Sequence, residues 1–222
     1  MKDFVVYTAI TDGYDTLSSP PEQWHKHADF VAFLETPQNV PGWEIRPIYN
    51  RFHDPCRNAK IHKILPHKYF PKARYSLWID GSVRIISTLP LESWPNTYLC
   101  THDLAVFKHH MRWCAYQEAA ACIDGKLDSF SVINRQMNKY AGEGYPYNNG
   151  LAECTILFRR HTRQIKCFNE AWYNEIKTYS RRDQLSFNYV ADKVKLPYRY
   201  LPGSMLNNPH FDWLPHTKSR LP

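Results

Sequence analysis

A short apolar run ends at an acidic residue, and this junction is the first place where the chain could do chemistry. Tyr75–Ile79 is rich in aromatic and branched side chains, and Asp80, Gly81 and Ser82 follow it directly. Such a run predicts a buried strand, and ligands of open α/β sheets bind beyond the carboxyl ends of the strands. A carboxylate there can hold a divalent ion against a diphosphate or hydrogen-bond a sugar. The alternative is that Asp-Gly simply makes a turn.

The first loop holds a second group of polar side chains. The run Phe4–Ile10 predicts a first strand, and the polar turn cluster 11–15 follows it at once. In a nucleotide-binding α/β domain this loop would lie beside the base and the ribose. Thr8 and Asp12 are therefore predicted to line a nucleotide pocket, with an ordinary turn as the alternative.

Arg57 and Lys60 form a third group, on the first turns of a predicted helix. Asp54 is a favourable N-cap and Pro55 a favourable first helical residue, so the helix is predicted to start there and to end before Pro66. At a spacing of three, the two cations occupy neighbouring positions where they could face a phosphate. Paired basic residues on a helix also form ordinary solvated faces.

Amide and carboxylate side chains later in the chain suit a sugar. Asn148 and Asn149 offer neutral donors and acceptors for hydroxyl groups, although Asn-Asn-Gly also suits a left-handed turn. Asp183 stands beside Gln184 at the start of another predicted helix. Ser180 with an acid three residues later fits a capping box, which is a purely structural explanation of Asp183.

Alternating apolar runs and helical stretches must position these residues. Further strands are predicted over residues 29–34, 43–48, 98–102, 104–109, 151–158 and 198–201, the second of them near an edge because of its proline. Further helices are predicted over 112–123, from 128 or 129 to 140, over 162–179 and from 180. The pattern predicts one α/β domain over residues 1–222, with a mainly parallel central sheet flanked by helices. Residues 203–222 are expected to form a lid or a flexible tail.

Composition and charge narrow the class of partner. The 222 residues are 43% hydrophobic and 15% aromatic, with only eight glycines, which argues against disorder and predicts one substantial core. The net charge of +7 favours an anionic partner: a nucleotide diphosphate, an acidic glycan, a phospholipid surface or nucleic acid. The basic residues stand in small groups, as at 108–112, which is more typical of a lined cleft than of a nucleic-acid-binding tail.

Cysteine usage and hydropathy bear on location. Six cysteines without a Cys-x-x-Cys pair predict free thiols in a reducing cytosol rather than a zinc ribbon or a redox motif. No apolar stretch reaches the length of a bilayer span. We therefore expect a cytoplasmic protein without a transmembrane segment, whose contact with a membrane would be peripheral.

An ordered set of motifs resembles one known family. The phosphate-loop, dinucleotide and nucleophile-elbow motifs are missing from the sequence. From Phe4 to about Lys193 the chain instead resembles the glycosyltransferase-like family once catalogued as domain of unknown function 616, which includes plant proteins of mucilage and cell-wall polysaccharide synthesis. The resemblance rests on five stretches: Thr8-Ala9-Ile10-Thr11-Asp12-Gly13-Tyr14-Asp15, Arg57-Asn58-Ala59-Lys60, Trp78-Ile79-Asp80-Gly81-Ser82, Asn148-Asn149-Gly150-Leu151 and Arg181-Arg182-Asp183-Gln184-Leu185-Ser186-Phe187.

The resemblance implies a GT-A type of fold, in which a nucleotide-sugar lies across a Rossmann-like sheet. Asp80 then corresponds to the first acid of an Asp-x-Asp motif that holds Mn²⁺ or Mg²⁺ on the donor diphosphate. Ser82 stands in place of the second acid, which weakens the metal site. His210 or His216 could complete a metal site with Asp80.

Cations could instead meet the donor diphosphate directly. Arg57, Lys60 or the group 108–112 are the candidates, and Arg112 in that group is also a candidate for acceptor or sugar contact, as are Asn148 and Asn149.

Asp183 and Gln184 look like the pair that reaches the reacting face of the sugar in GT-A transferases that retain configuration. Asp183 could orient the acceptor or stabilise positive charge at the anomeric carbon, and in an inverting enzyme it could act as the general base. The predicted function is transfer of a sugar from a UDP-linked donor to a glycan or glycolipid. The alternatives are a non-catalytic nucleotide- or glycan-binding domain of the same fold, and a basic nucleic-acid-binding module, which the dispersed charges disfavour.

Overall fold

A central sheet of seven strands organises the computed structural model, which describes residues 2–218. The strands are β1 Phe4–Ile10, β2 Ala28–Leu34, β3 Glu44–Pro47, β4 Tyr75–Ile79, β5 Val83–Ile85, β6 Leu104–Lys108, β7 Ala152–Arg160, β8 Arg199–Tyr200 and β9 Phe211–Trp213. The helices are α1 Pro55–Ile64, α2 Pro66–Tyr69, α3 Trp94–Tyr98, α4 Ala115–Asp124, α5 Phe130–Gly142, α6 Arg163–Thr178 and α7 Gln184–Lys193. Two 3-10 helices lie at Glu22–Lys26 and Leu91–Ser93.

The strand order in this sheet is β3-β2-β1-β4-β7-β6-β8. The pairs among β3, β2, β1 and β4 are parallel, as is the pair of β6 with β8, whereas β7 runs antiparallel to both of its neighbours. The predicted mainly parallel α/β sheet, with β4 inside it and β3 at an edge, is confirmed. Because β7 is reversed, its first residues lie at the same sheet edge as the last residues of β1 and β4.

Apolar layers cover both faces of the sheet, which is why every residue of β1 is buried. One layer contains the helices α1, α4, α5, α6 and α7, with Phe168, Trp172 and Phe187 among its fully buried side chains. The other contains Trp24, Trp94 and residues of β5 and β9. The predicted stripe of α6 faces the first layer, since the side chains at its helical spacing are fully buried.

The helix that carries Lys60 begins as predicted. Asp54 is the N-cap, its Oδ1 accepts a hydrogen bond from the backbone N–H of Cys56 at 3.0 Å, and Pro55 is the first helical residue. The proline at 66 ends this helix but opens the short α2, so the chain turns there without leaving helical structure.

Three local predictions were wrong, and one of them is the helix predicted from residue 180, which starts at Gln184. Residues 98–102 form no strand: Tyr98 ends α3, which Pro95 opens and in which Trp94 and Tyr98 are buried. The helix predicted from residue 112 starts at Ala115, because the ring of His109 accepts the backbone N–H groups of residues 111 and 112 and holds that segment as a loop.

The end of the chain returns to the sheet edge that carries Asp80. β9 pairs antiparallel with β5, a strand that the sequence did not predict, and the backbone N–H of Leu214 donates to the carbonyl oxygen of Ser82 at 2.7 Å. A lid role for the segment from 203 stays a prediction, and its residues 219–222 lie outside the described residues. Within residues 2–218, no helix combines the length and apolar character that a bilayer span requires.

Candidate functional site

A cavity of about 670 Å³ opens at the sheet edge where β1 and β4 end and β7 begins. Its walls come from the first loop, the start of α1, the turn after β4, the start of β7, the segment before α7 and the end of the chain. The lining includes Asp12, Tyr14, Asp15, Asp54, Lys60, Lys63, Trp78, Asp80, Gly81, Ser82, Lys126, Glu153, Thr155, Arg181, Arg182, Asp183, Gln184, Trp213, His216 and Lys218.

Asp80 stands on the cavity wall, where β4 ends. Its Oδ1 accepts hydrogen bonds from Nε1 of Trp78 at 2.6 Å and from Nζ of Lys63 at 3.0 Å. The turn after it needs glycine, since a Cβ at Gly81 would lie 2.7 Å from Cγ1 of Ile10. Asp80 is therefore held in one orientation by its own strand and by α1, while 35% of its side chain remains exposed to the cavity.

Asp183 lies deeper in the same cavity, between two ammonium groups. Its Oδ2 is 2.8 Å from Nζ of Lys60 and 2.7 Å from Nζ of Lys63. Burial alone would raise the pKa of this carboxyl, but the two lysines outweigh burial and hold the pKa far below its ordinary value. Burial would likewise lower the pKa of Lys63, yet Asp183 and Asp80 raise it. A buried ammonium thus bridges the two carboxylates.

The capping-box explanation of Asp183 is wrong. Asp183 occupies the N-cap position of α7, but its side chain makes no hydrogen bond to the helix. Ser180 donates from Oγ to Oδ2 of Asp128 at 2.7 Å, and its own backbone N–H donates to Gln136. The carboxylate of Asp183 instead forms ion pairs with Lys60 and Lys63 of α1.

Glu153 is a site residue that the sequence analysis missed. It is the second residue of β7, and its Oε1 accepts hydrogen bonds from Oγ1 of Thr155 at 2.9 Å and from Nε2 of Gln184 at 3.2 Å. Burial raises the pKa of Glu153, and Asp80 adds to the increase. An acidic residue within the apolar run 151–158 was the available signal. Lys63, also missed, had a similar one, because it lies between the buried Ile61 and Ile64.

The mouth of the cavity joins the first loop to the end of the chain. Nδ1 of His216 is 2.7 Å from Oδ1 of Asp15, and the rings of His216 and Tyr14 lie 4.4 Å apart. Nζ of Lys218 donates to Oδ2 of Asp12 at 2.6 Å. These contacts cross more than 200 positions of sequence, so no local pattern could have predicted them.

Several predicted site residues do come together. The cavity lining contains these six: Asp12, Lys60, Asp80, Ser82, Asp183 and Gln184. Thr8 and Arg57 lie outside it. Thr8 is fully buried within β1, and Arg57 donates to the carbonyl oxygens of Ile176 and Tyr179, so its guanidinium ties α1 to the end of α6.

The predicted acceptor residues lie outside the cavity lining as well. Asn148 is exposed and has φ +60°, which supports the turn explanation of Asn-Asn-Gly. Asn149 is exposed and its carbonyl oxygen accepts a weak bond from Asn188 at 3.5 Å. Arg112 donates from Nε to Oε2 of Glu118 at 2.6 Å. A sugar-binding role for these three residues stays a prediction.

The predicted metal pair of Asp80 and His210 is not brought together. His210 is hydrogen-bonded to Ser87 at 2.9 Å and to the hydroxyl of Tyr98 at 2.5 Å. Tyr98 belongs to the apolar layer that contains Trp94. His216 lies nearer, on the cavity wall, but pairs with Asp15. Within residues 2–218, Asp80 belongs to no group of three close metal ligands. With Oδ1 of Asp80 bonded to Lys63 and a serine at position 82, the donor set at Asp80 does not fit Mn²⁺ or Mg²⁺.

One cluster of potential ligands is found in the described chain: His109, His110 and Glu153, whose ligand atoms lie within 4.8 Å of one another. The surroundings of His109 do not suit a metal. Its Nδ1 accepts two backbone N–H groups, so Nε2 is the atom that would have to bind a metal. Nη2 of Arg112 also lies 3.1 Å from Nε2. Burial and the Arg112 charge lower the pKa of His109 to about 4.

Comparison with known proteins gives relatives of two kinds. The chain is 29% identical over 225 residues to the probable hexosyltransferase MUCI70 of Arabidopsis thaliana, covering 87% of this chain and 38% of that protein. It is 26% identical over 167 residues to the alkaline ceramidase TOD1 of the same plant, covering 70% of this chain and 36% of that protein. The chain thus spans less than two fifths of the length of either relative.

A solved glycosyltransferase involved in glycosylation of the major capsid of PBCV-1 superposes with a TM-score of 0.41 at 12% identity, covering 89% of this chain and 79% of that one. The family model described as TOD1/MUCI70, glycosyltransferase-like domain, matches residues 32–212, which include β4, β7 and α7. The chain therefore belongs to the TOD1/MUCI70 glycosyltransferase-like domain family.

Proposed function

We propose that this domain transfers a sugar from a UDP-linked donor to a glycan or glycolipid acceptor, on a fold of GT-A type. The observation that carries the proposal is the cavity at the carboxyl ends of β1 and β4, which holds Asp80 together with the first loop. A volume of about 670 Å³ is in the range of small-molecule and cofactor sites. The name of the MUCI70 relative, a hexosyltransferase, supports hexose donors.

The polar groups of the cavity suggest how a donor would lie. Asp12 and Tyr14 of the first loop are suited to the ribose and base, and Asp80 to a hydroxyl of ribose or sugar. Lysine and arginine side chains equal aspartate and glutamate in number among the lining residues, six of each. Phosphate recognition would therefore depend on individual ammonium groups, such as that of Lys60 beside Asp183, rather than on a strongly positive field.

Isothermal titration with UDP, UDP-glucose and UDP-galactose tests donor binding, and release of free hexose tests turnover. We expect Asp80→Asn to weaken nucleotide-sugar binding about tenfold, as for a lost hydrogen bond to a charged group. Asp29→Asn is the matched control, because Asp29 lies on β2 near the amino ends of the strands, where its Oδ2 accepts from the N–H of Lys2 at 2.7 Å. Equal binding by wild type and Asp80→Asn would contradict the assignment of the cavity.

A divalent ion on the donor, which the resemblance implies, gets no support from the ligands around Asp80. Lys63 already places a positive charge between Asp80 and Asp183. We expect hexose release to continue in EDTA. If EDTA stopped hexose release and Mn²⁺ but not Ca²⁺ restored it, the reaction would require a divalent metal.

A non-catalytic nucleotide- or glycan-binding domain is the second candidate, because Lys63 occupies Oδ1 of Asp80 and a serine stands at position 82. Binding of UDP-hexoses without hexose release or transfer would favour it. Fatty-acid release from ceramide micelles, assayed in parallel, would instead point to the reaction that names the TOD1 relative.

Location and stereochemistry complete the proposal. All six cysteines are free, and three of them are buried, which supports a cytoplasmic setting with at most peripheral membrane contact. Retention of configuration, expected from Asp183 and Gln184, stays a prediction. It competes with a second possibility, which the groups around Glu153 favour.

A further inference from the structure

Glu153 lines the cavity, and only one of its two carboxylate oxygens accepts hydrogen bonds from residues 2–218. Both of its hydrogen bonds, from Thr155 and from Gln184, arrive on Oε1. Oε2 faces Nε2 of His109 at 3.7 Å and Nδ1 of His110 at 3.9 Å, distances beyond a hydrogen bond. The side chain is thus fixed through Oε1, while Oε2 keeps its capacity to accept a hydrogen bond or a proton.

Asp183 is poorly suited to the same task. Its Oδ2 is already held by two ammonium groups within 2.8 Å, and they stabilise the ionised form. A carboxylate whose pKa lies far below neutrality has little driving force to take a proton. Protonating Asp183 would also leave Lys63 buried with a weakened counter-charge, which is costly.

We propose that Glu153 is the general base that takes the proton from the acceptor hydroxyl during sugar transfer. The inference rests on the proposed function and names the proton acceptor of that site. The acceptor oxygen forms a bond to the anomeric carbon, while the bond from that carbon to the diphosphate oxygen breaks and its electron pair leaves with the nucleoside diphosphate. The hydroxyl proton passes to Oε2 of Glu153 and then to solvent. A single displacement of this kind inverts the anomeric configuration.

The position of Glu153 relative to Asp80 supports this step. Because β7 is antiparallel to β4, the N–H of Asp80 donates to the carbonyl oxygen of Thr155 at 3.0 Å, which places Glu153 two residues further along the same cavity edge. Gln184 joins it to the segment that carries Asp183. The donor side and the base thus meet in one cavity.

His110 completes a place for the acceptor hydroxyl. Oε2 of Glu153 and Nδ1 of His110 are 3.9 Å apart. One hydroxyl oxygen could therefore lie at hydrogen-bond distance, about 2.8 Å, from both atoms. His110 is exposed, and its ring stacks on that of His109 with centroids 5.1 Å apart. His109 stays neutral at physiological pH because burial lowers its pKa to about 4.

The electrostatic surroundings raise the pKa of Glu153, which increases its tendency to take a proton. Burial raises the pKa of Glu153, and the charges of Asp80, which follows β4, and of Glu118 on α4 raise it further. The hydrogen bond from Thr155 and the charge of Lys63 on α1 oppose the increase. Other titratable neighbours are His109 and His110, which follow β6, and Cys154, the next residue on β7. Since the ionised form is the active one, turnover should fall as pH drops through the pKa of Glu153.

Hydrolysis of UDP-glucose by the wild-type protein and by Glu153→Gln tests the proposal without a known acceptor, because water then supplies the hydroxyl. We expect the variant to lose about 100-fold or more in turnover, to keep wild-type UDP affinity, and to lose the acidic limb of the pH profile. The wild-type product, followed by NMR before mutarotation, should be β-glucose from the α-linked donor. Azide has no proton to give up, so transfer to azide should be nearly as fast in Glu153→Gln as in wild type.

Glu92→Gln is the matched control, since Glu92 is exposed and lies outside the cavity lining; it should behave as wild type in every assay. Equal hydrolysis by Glu153→Gln and wild type, loss of azide transfer together with hydrolysis, or release of α-glucose would each overturn the role of Glu153 while leaving a transferase in place. No turnover of any UDP-hexose by wild type would overturn the proposed function itself, and the role of Glu153 with it.

Discussion

Asp183, which is buried, and Glu153, which is partly buried, are carboxylates of one cavity, and Gln184 connects them, yet their neighbours differ in charge. Asp183 meets Lys60 and Lys63, whereas Glu153 meets a hydroxyl, an amide and two imidazole rings. The pKa of the first is lowered and that of the second is raised. Residue type and burial therefore do not assign a chemical role: a permanently ionised structural charge and a titrating base arise from the same functional group through its partners.

The largest effect on stability is expected from removing the ion pairs of Asp183 with Lys60 and Lys63. Asp183→Asn leaves the buried ammonium of Lys63 with Asp80 alone, so the free energy of unfolding should fall by about 3–5 kcal/mol, against about 1 kcal/mol for loss of a helix cap. Urea unfolding at pH 7 measures it. Asp192→Asn, which removes an exposed pair with Lys195, should cost below about 1 kcal/mol. Equal small losses in both variants would show that the lysine pair does not stabilise the fold.

The pH dependence of this loss has a defined sign. Because the folded pKa of Asp183 is lowered, its contribution is fully present above the unfolded value of about 3.9 and is lost as pH falls below it toward the folded pKa. The stability difference between wild type and Asp183→Asn should therefore be constant from pH 5 to 8 and begin to shrink below about pH 4. A difference that shrinks between pH 5 and 8 would contradict the lowered pKa.

Glu153→Gln should change the free energy of unfolding in the opposite direction to Asp183→Asn, and by a smaller amount. Because the folded pKa of Glu153 is raised, ionisation costs stability as pH rises through that pKa. The neutral glutamine variant should therefore be more stable than wild type at pH 8, and the two should converge below the unfolded pKa of about 4.3. Thermal melts across this range give the measurement. A variant that is less stable than wild type at pH 8 would make Glu153 a structural residue.

The sequence predicted the framework of this comparison but not its chemistry. Runs of apolar residues identified β1, β4 and β7, and the Asp54-Pro55 pair identified the start of α1, because strand burial and helix capping are local properties. The family resemblance was the basis for predicting that Asp183 and Gln184 belong to the site. The partners of Asp183 are 120 and 123 positions away in the sequence, on α1, so the charge that decides its role could be known only from the packing of α1 against the segment before α7.

Glu153 shows what a closer sequence analysis could have found. It interrupts a largely apolar and largely buried strand, and an acid in that position needs a partner or a function. The sequence could not show that β7 is antiparallel, and only that reversal places the start of β7 beside Asp80. Thr8 lies outside the cavity lining for a related reason: it is near the end of β1, but one residue before Ala9, where the lining begins.

Lys218→Ala is expected to have a modest effect at the mouth of the cavity. Lys218 is about half exposed and pairs with the exposed Asp12 at 2.6 Å, so it can order the first loop without burying charge. UDP affinity should fall by less than tenfold, and by less still in 0.5 M salt, because exposed charges are screened. Titration at two salt concentrations checks this. If Lys218→Ala lowered UDP affinity more than Asp80→Asn does, the main nucleotide contact would lie at the mouth of the cavity and not at Asp80.

The smallest effect is expected at Thr8, and it tests the boundary of the site. The Oγ1 atom of Thr8 is buried and finds no hydrogen-bond partner among residues 2–218. Thr8→Val replaces an unsatisfied hydroxyl by a methyl group of similar shape, which should leave stability unchanged or raise it by about 1 kcal/mol. UDP affinity should be unchanged, because β1 faces the cavity only from Ala9 onward. A loss of nucleotide affinity in a Thr8→Val protein of normal stability would extend the site into β1 and restore Thr8 as a donor-binding residue.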